Sequence, residues 1–517
     1  MVWTLTIIMV IVLLLVLTFG SNLAKASSKE LRALEAQPEG ASDDSFVEEA
    51  YKVNLKKGFD ISLTGEAPTP FDGIEQVRSA TYALKPKDFE GMMPIPKVIP
   101  EAGTHVKAGD PLFFDKKRPD IMYVAPVSGE FIEIRRAEKR SIAEVVILAD
   151  KEGVQYREYT LPDLKTASQA ELVGFLLGSG VWPFIRQRPY DVVADHNEMP
   201  KAIFVSTFDT APLAPNLNFA VQGKDAEFQK GLDVLNCLVP NVHLGLNGKG
   251  KPADAFANAK GVHRHQFSGQ HPAGNVGIHI HHIDPINTGD IVWYLDVHAV
   301  ILIGTLFTKG IYDTERVIAL TGSETPNPRY IRAHQGVNLE SFFRDVETET
   351  TETVKTKDGD KTITKPLVRI VSGDLLTGKK VKKDGFLGFF DDQVSTANEG
   401  DRYELFGWLV PQTGHPTISR TFPNGFFPKV KYPADTNTNG EKRAFVVSGQ
   451  YESVLPMNIF PQHLMRAIQA NDFERMEGLG LLELSEEDIA ICEYVCTSKQ
   501  PLQQILRKGL NMMREQG

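Results

Sequence analysis

Residues 182–190 read WPFIRQRPY. Trp182, Phe184 and Tyr190 offer flat apolar faces, and Arg186 and Arg188 offer guanidinium donors. Aromatic faces can sandwich a planar ring, and guanidinium groups can donate to its oxygens. The segment therefore has the makings of one edge of a pocket for an apolar ring ligand with acceptor oxygens. The same residues equally fit ion pairs and core aromatics, and the sequence leaves both readings open. Phe89 and Met92, in the stretch LKPKDFEGMM at 84–93, could add an adaptable apolar surface. The alternative for them is a loop packed on its own domain.

Histidine is the second concentration of chemistry. His263, His265, His271, His279, His281, His282 and His298 fall in one stretch. On a strand, His279 and His281 would share a face. A metal ion would still need a third ligand. No cysteine lies near and no HxxxH pairing is present, so the expectation is capping, core hydrogen bonds and surface positions, with no metal site. Cys237, Cys492 and Cys496 are the only cysteines, too few for a disulfide framework, and the Cys492/Cys496 pair cannot alone ligate a cluster or a structural zinc. No P-loop, GxGxxG or Ser/His/Asp arrangement appears, so no catalytic residue is assigned.

These residues need elements to position them. Residues 171–184 start helical and end at glycines and a proline. Runs at 202–207, 242–246, 305–308 and 317–321 read as strands, and 227–238 carries helical apolar spacing at Phe228, Leu232 and Leu235. Strands alternating with helices imply a parallel α/β core. Upstream, short β-rich runs at 111–114, 122–125 and 130–134 are separated by Gly, Pro and Asp turns. Residues 346–365 are rich in Thr, Glu and Lys around Asp358-Gly359, a hairpin turn signal. Residues 481–515 read as a helical end, with Ser485 as an N-cap followed by Glu486, Glu487 and Asp488.

Composition sets the class. Hydrophobic content of 42% and charged content of 24% are those of a globular protein, and a net charge of −10 argues against a nucleic-acid partner. At the start, residues 2–19 are uncharged and largely apolar, and Lys25, Lys29 and Arg32 follow them. Length and charge asymmetry predict one N-terminal transmembrane helix with the bulk of the chain on the cytoplasmic side of the inner membrane. A cleaved signal ending at Ala24-Lys25-Ala26, or a mis-assigned start, are the competing readings.

Two resemblances sharpen this reading. Val106-Lys107-Ala108-Gly109-Asp110-Pro111-Leu112, followed by Ala125-Pro126-Val127-Ser128-Gly129, resembles the barrel-sandwich hybrid of biotinyl and lipoyl domains. Its hairpin carries Lys116 and Lys117 without the usual context of the modified lysine, so no modification is expected. The blocks LGSGVWPFIRQRPY (177–190), FVSTFDTAPLAPN (204–216), HPAGNVGIHIHHIDPIN (271–287) and VSGDLLTG (371–378) together resemble the A-type subunit of the bacterial sodium-translocating NADH:quinone reductase. Shorter matches at 54–58, 404–408, 436–440 and 493–496 extend the likeness from about Asn54 to the C-terminus. The departures are the N-terminal segment and the 346–365 insertion, since the family as known is peripheral and has no membrane helix of its own.

The resemblance implies a non-redox subunit of a respiratory translocase (an NADH:ubiquinone reductase that exports Na⁺), bound to the other subunits, to quinone and to the membrane. It implies NAD, FMN, FAD and iron–sulfur centres in partner subunits and none here. In flavin-binding relatives a glycine-rich loop meets the phosphate, whereas here only Gly178 and Gly180 remain, and Val181, Trp182, Pro183 and Phe184 fill the place of close approach. Trp182, Phe184, Arg186, Arg188, Tyr190, Phe89 and Met92 become candidates for quinone contact. A stand-alone flavin or NADH oxidoreductase and a pure assembly scaffold are the alternative functions. The expected fold is multidomain α/β and α+β: anchor 1–21, linker 22–50, barrel-sandwich-hybrid-like domain 51–165, Rossmann-like α/β domain 166–325, β-grasp-like α+β domain 326–384, and a C-terminal α+β and helical part 385–517.

Overall fold

A computed structural model describes residues 51–516, apart from 71–72, 357–358, 401–417, 419–429 and 447. Five sheets and a C-terminal helical group make up this region.

The sandwich domain pairs two sheets. Thr81–Leu84, Ile142–Ala149, Gly129–Arg136 and His105–Val106 form one, and Lys97–Val98, Pro111–Asp115 and Arg118–Val124 form the other. Alternation turns Leu112, Ile121, Tyr123, Phe131, Val145 and Ile147 into a shared core. Exposed Lys116 and Lys117 form the turn between two of these strands, where the Asp115 carboxylate accepts from the Lys117 amide at 3.0 Å.

The α/β domain is a seven-stranded sheet in the order Tyr51–Asn54, His263–Ser268, Val242–Asn247, Ala202–Ser206, Val292–Leu295, Arg186–Arg188, Val192–Val193. The first of these strands to the fifth run parallel, and the last two are antiparallel. The continuous apolar runs AIFVS and VWYL suit strands covered on both faces. Helices Asp225–Leu238 and Val297–Lys309 cover one face and lie close together. Gly304 permits that approach: a Cβ there would sit 1.6 Å from the Glu227 carbonyl oxygen.

Three local expectations change. Residues 305–308 end the helix Val297–Lys309 and form no strand. Its Asp296 N-cap accepts from the Ala299 amide, and Gly310 closes it at φ +69°. These end signals outweigh the β-prone composition inside. His279 and His281 lie on the helix Val276–Ile283, where residues two apart point to different sides, so they share no face. Tyr51–Asn54 joins the α/β sheet beside His263–Ser268, away from the sandwich.

A six-stranded mixed sheet follows in the order Glu75–Gln76, Arg329–His334, Glu315–Gly322, Gln393–Asn398, Val368–Ser372, Lys379–Val381. Glu349–Thr356 and Gly359–Pro366 form a separate two-stranded hairpin. The C-terminal group packs Pro461–Ala470, Glu486–Val495 and Leu502–Gln516 around Leu464, Met465, Ile468, Ile489, Cys492 and Leu506.

The fold class and the localisation require a correction. Among the described residues, no helix is long and apolar enough to cross a membrane. The longest, Leu502–Gln516, has 15 residues and one polar face, and spans about 22 Å against the roughly 30 Å of a bilayer core. Residues 2–19 lie outside the described region. The fold class and the localisation are corrected to this extent: the described fold contains no transmembrane helix and no membrane anchor.

Candidate functional site

Ser168 and Glu171 close a capping box that starts the helix Gln169–Gly178. The helix delivers the chain to Gly180, which turns at φ +79° against the sandwich domain. A Cβ on Gly180 would lie 2.3 Å from a Val124 methyl group, so the loop sits directly on the strand Arg118–Val124. The next turn buries Trp182, Pro183 and Phe184. Trp182 donates its indole N–H to the Ala194 carbonyl at 2.9 Å and meets Trp293 edge to face at 5.3 Å.

Phe389 and Phe390 gather the candidates that the sequence kept apart. Phe184 lies 4.5 Å from the Phe389 ring centre, and Phe89 lies 4.6 Å from Phe389 and 5.8 Å from Phe390. Phe89 also meets Tyr123 at 4.4 Å. Met92 packs half-buried against the same core. The Arg186 guanidinium stands 4.8 Å over Phe390 and 5.1 Å over Tyr294. Thus Phe89, Met92, Phe184 and Arg186 share one aromatic cluster. Trp182 faces the opposite side, toward Trp293, and Tyr190 packs against the C-terminal helices.

Neither arginine of the segment has a free charge. Arg186 pairs with the Asp191 carboxylate, which also accepts from the Tyr294 hydroxyl. Arg188 is fully buried. One of its terminal nitrogens donates to Asp488 at 2.5 Å and to the Glu483 carbonyl at 3.1 Å. The other donates to the Ser485 hydroxyl at 2.7 Å and to Glu487 at 2.8 Å. Burial works against the charge of both arginines. Asp191 for the one and Asp488 for the other outweigh it, holding both above the ordinary arginine range. Burial likewise pushes the Asp191 carboxyl up, but Arg186 and Arg188 hold it below the usual carboxylate range. Asp488 is also the acid of the capping box that opens Glu486–Val495, so one carboxylate fixes that helix start and Arg188 together. Tyr190, at φ +81°, accepts from Arg507 of Leu502–Gln516 at 2.7 Å through its carbonyl, and Arg507 pairs with Glu486.

The comparisons with known proteins decide the family. Residues 53–150 match the model of the NqrA N-terminal barrel-sandwich hybrid domain, and residues 167–312 match that of the NqrA second alpha/beta domain. The NqrA subunit of the Na(+)-translocating NADH-quinone reductase of Yersinia pseudotuberculosis is 34% identical over 469 residues, which is 90% of this chain and 100% of the relative. Its counterpart in Haemophilus influenzae is 35% identical over 468 residues, and that in Vibrio atlanticus 34% over 469, each again 90% of this chain and 100% of the relative. The chain belongs to the NqrA family of Na⁺-translocating NADH:quinone reductases. A solved chain of an NAD⁺-reducing [NiFe]-hydrogenase overlaps with a TM-score of 0.29 at 11% identity, over 70% of this chain and 72% of that one, a likeness too slight to inform the fold.

In this family member the histidines are dispersed into separate contacts. The His279 Nε2 donates to the Ala273 carbonyl at 2.9 Å, and its ring stacks on Phe267 at 4.0 Å. His281 meets Glu483 at 2.7 Å, and His282 donates to the Pro456 carbonyl at 2.8 Å. His271 meets Thr210 at 3.2 Å, and His298 faces Asp392 at 3.8 Å. His243 and His265 share a hydrogen bond of 2.9 Å on neighbouring strands, with His263 beside them. Among the described residues, no three His, Cys, Asp or Glu side chains converge on a common metal position. Cys492 and Cys496 are buried against Tyr451, whose hydroxyl lies 2.9 Å from the Cys496 sulfur.

Sequence reasoning missed Asp191, Tyr294, Phe389, Phe390 and the acids that hold Arg188. Asp191 was legible in principle, since it directly follows the segment. The run FLGFF at 386–390 was an unused aromatic signal.

Proposed function

We propose that this chain is a non-redox subunit of a Na⁺-translocating NADH:quinone reductase, and that residues 182–190 join its α/β domain to its C-terminal helices. The observation that carries this reading is the set of four hydrogen bonds from the two terminal nitrogens of Arg188 to Asp488, Glu487, Ser485 and the Glu483 carbonyl, which leaves only its buried Nε without a partner. With both terminal nitrogens engaged and the side chain fully buried, this guanidinium is withdrawn from a ligand. NAD, FMN, FAD and iron–sulfur chemistry belongs to partner subunits in this proposal. The burial of Trp182, Pro183 and Phe184, and the contact of Gly180 with Val124, support it by filling the place where a phosphate would approach. The assembly as a whole carries the enzyme activity.

A second reading draws on the rim of the aromatic cluster. Met92 and Phe390 stay half-exposed there, which supports an apolar wall that this chain lends to the quinone site. In that reading Phe89 and Phe184 back the wall, and Arg186 and Arg188 are not its donors.

Two measurements test the proposal. The purified chain should show no visible flavin absorption and no stoichiometric iron. Arg188→Ala should lower the melting temperature and the recovery of the complex together. If that variant instead assembles normally, melts normally and changes only the quinone KM, Arg188 is a ligand-binding residue and the joint reading fails.

A further inference from the structure

A cleft of about 290 Å³ opens between the loop after Val276–Ile283 and the C-terminal helical group. Ile286, Ile459, Leu479 and Leu482 line it with apolar surface. Glu477 and Glu483 line it with carboxylates, and Phe460, 59% exposed, stands beside them. Gly480 makes this shape possible. It turns the chain at φ +87° between Phe473–Gly478 and Leu481–Glu483, so that both acids come to one cleft. Arg188 holds the Glu483 carbonyl at 3.1 Å, so the cleft belongs to the joint that residues 182–190 make.

The chain neutralises neither carboxylate. Glu477 accepts the Thr288 hydroxyl on one oxygen. Glu483 accepts from His281 Nδ1 at 2.7 Å on one oxygen, and the Asn458 amide donates to Nε2 of the same ring at 3.0 Å. A ring nitrogen that accepts carries no proton, so this hydrogen-bond pattern assigns His281 the neutral tautomer with its hydrogen on Nδ1. Both acids thus receive hydrogen bonds from uncharged donors and keep their charge. The second oxygen of each forms no hydrogen bond among the described residues. The cations that border these segments are engaged elsewhere. Lys201 holds Asp284 at 2.7 Å and Asp290 at 2.9 Å, and Arg475 holds Asp472 at 3.4 Å. Two uncompensated carboxylates over an apolar lining attract a cation carried on an apolar stem. Lys and Arg side chains have that build, and an exposed ring at the rim adds a face for the charged head. A metal ion would leave the apolar lining unused.

We propose that this cleft is a docking site for a basic side chain, Arg or Lys, of another subunit of the complex. The stem lies along Ile459, Leu479 and Leu482, and the charged head meets the second oxygens of Glu477 and Glu483. Glu477 comes from the helical group and its Thr288 partner from the α/β domain, so the docked residue bears on the joint itself. The proposal rests on the reading of the chain as a member of that assembly.

Carboxyl footprinting tests it. The intact complex and the isolated chain are labelled alike with a carbodiimide and glycine ethyl ester, and labelling of Glu477 and Glu483 is quantified by mass spectrometry. Both should label roughly fivefold more slowly in the complex, where a docked side chain excludes water. Glu477→Gln combined with Glu483→Gln keeps the acceptors for Thr288 and His281 and removes only the charges. That double variant should melt as the wild-type chain does and lose retention by the complex on the order of tenfold at low salt, with the difference shrinking as salt is raised. Equal labelling in the two forms overturns the proposal. Protection with unchanged retention of the double variant overturns it too, because the cleft is then covered without its charges being used. Should the double variant melt low, the footprint and the Glu477→Gln single variant decide by the same criteria. If the wild-type chain does not co-purify with other subunits at all, the assembly reading has failed and the proposal falls with it. With co-purification intact, footprint and retention judge the cleft alone.

Discussion

Two pairs of arginines on one seam of the molecule have opposite surroundings. Arg186 and Arg188 each face at least one buried carboxylate and sit over the Tyr294 ring. Arg118 gives one terminal nitrogen to the Val193 carbonyl and leaves the other buried without a partner, and Arg514 lies against Gly91 with no ion pair among the described residues. Residue type is identical in the two pairs, so type cannot decide role. Acceptor supply does. A buried cation whose carboxylates come from its own chain holds the fold, and one without a carboxylate contributes less to it.

The largest expected effect comes from breaking the pair that carboxylates hold. Arg188→Ala leaves the buried Asp488 and the half-buried Glu487 without their cation and should cost about 3–5 kcal/mol, read as a fall in the urea midpoint of the isolated chain. A loss under about 1 kcal/mol would mean that Arg188 resembles Arg514 in its energetics and would erase the contrast.

Next is the turn that seats residues 182–190 on the sandwich domain. Gly180→Ala combines a positive φ with a Cβ 2.3 Å from Val124, and should cost about 1–3 kcal/mol by the same measurement. Gly178→Ala meets nothing within 4 Å and should leave stability nearly unchanged, which makes it the matched control.

Acid titration carries the same logic to histidine. Burial holds His279 near a pKa of about 3, against about 6.5 for an unfolded histidine. Below about pH 6.5 the unfolded chain takes up a proton that the folded chain refuses until about pH 3, so stability falls as pH falls through that window. Burial lowers His243 to about 3 and His265 to about 4, and they add in the same direction. His279→Gln should remove about 1.4 kcal/mol of the difference in stability between pH 7.5 and pH 5.5, measured by urea melts at both values. An unchanged difference would show that His279 already titrates near its free value.

The smallest effect sharpens the comparison from the side without an ion pair. Arg514→Met removes an unpaired, half-buried cation and keeps a long apolar stem. The isolated chain should then be unchanged within about 0.5 kcal/mol, or slightly more stable. A loss of about 2 kcal/mol or more would assign Arg514 to the fold.

Legibility followed the range of the interactions involved. The parallel core could be read because AIFVS and the Phe228, Leu232 and Leu235 spacing are local patterns with one physical solution. Ser485 and Asp488 could be read as a helix start because a capping box spans four residues. Residues 305–308 were misjudged because VILIGTLFT is β-prone inside, and only Asp296 and Gly310 at its ends mark it as a helix. The spacing of His279 and His281 would give a shared face only on a strand, and the helix Val276–Ile283 separates them.

By itself the sequence determined the family, through long blocks in a fixed order, and the local elements that capping and periodicity dictate. It also determined which residues carry rings and charges. Only the tertiary structure decided what those charges do. Arg188 meets Asp488 across 300 positions of chain, Arg507 meets the Tyr190 carbonyl across 317, and Arg514 arrives beside Gly91 without an ion pair among the described residues. The reason is electrostatic. The worth of a guanidinium depends on the acceptors and the solvent within a few ångströms, and chain folding, not sequence spacing, sets that neighbourhood.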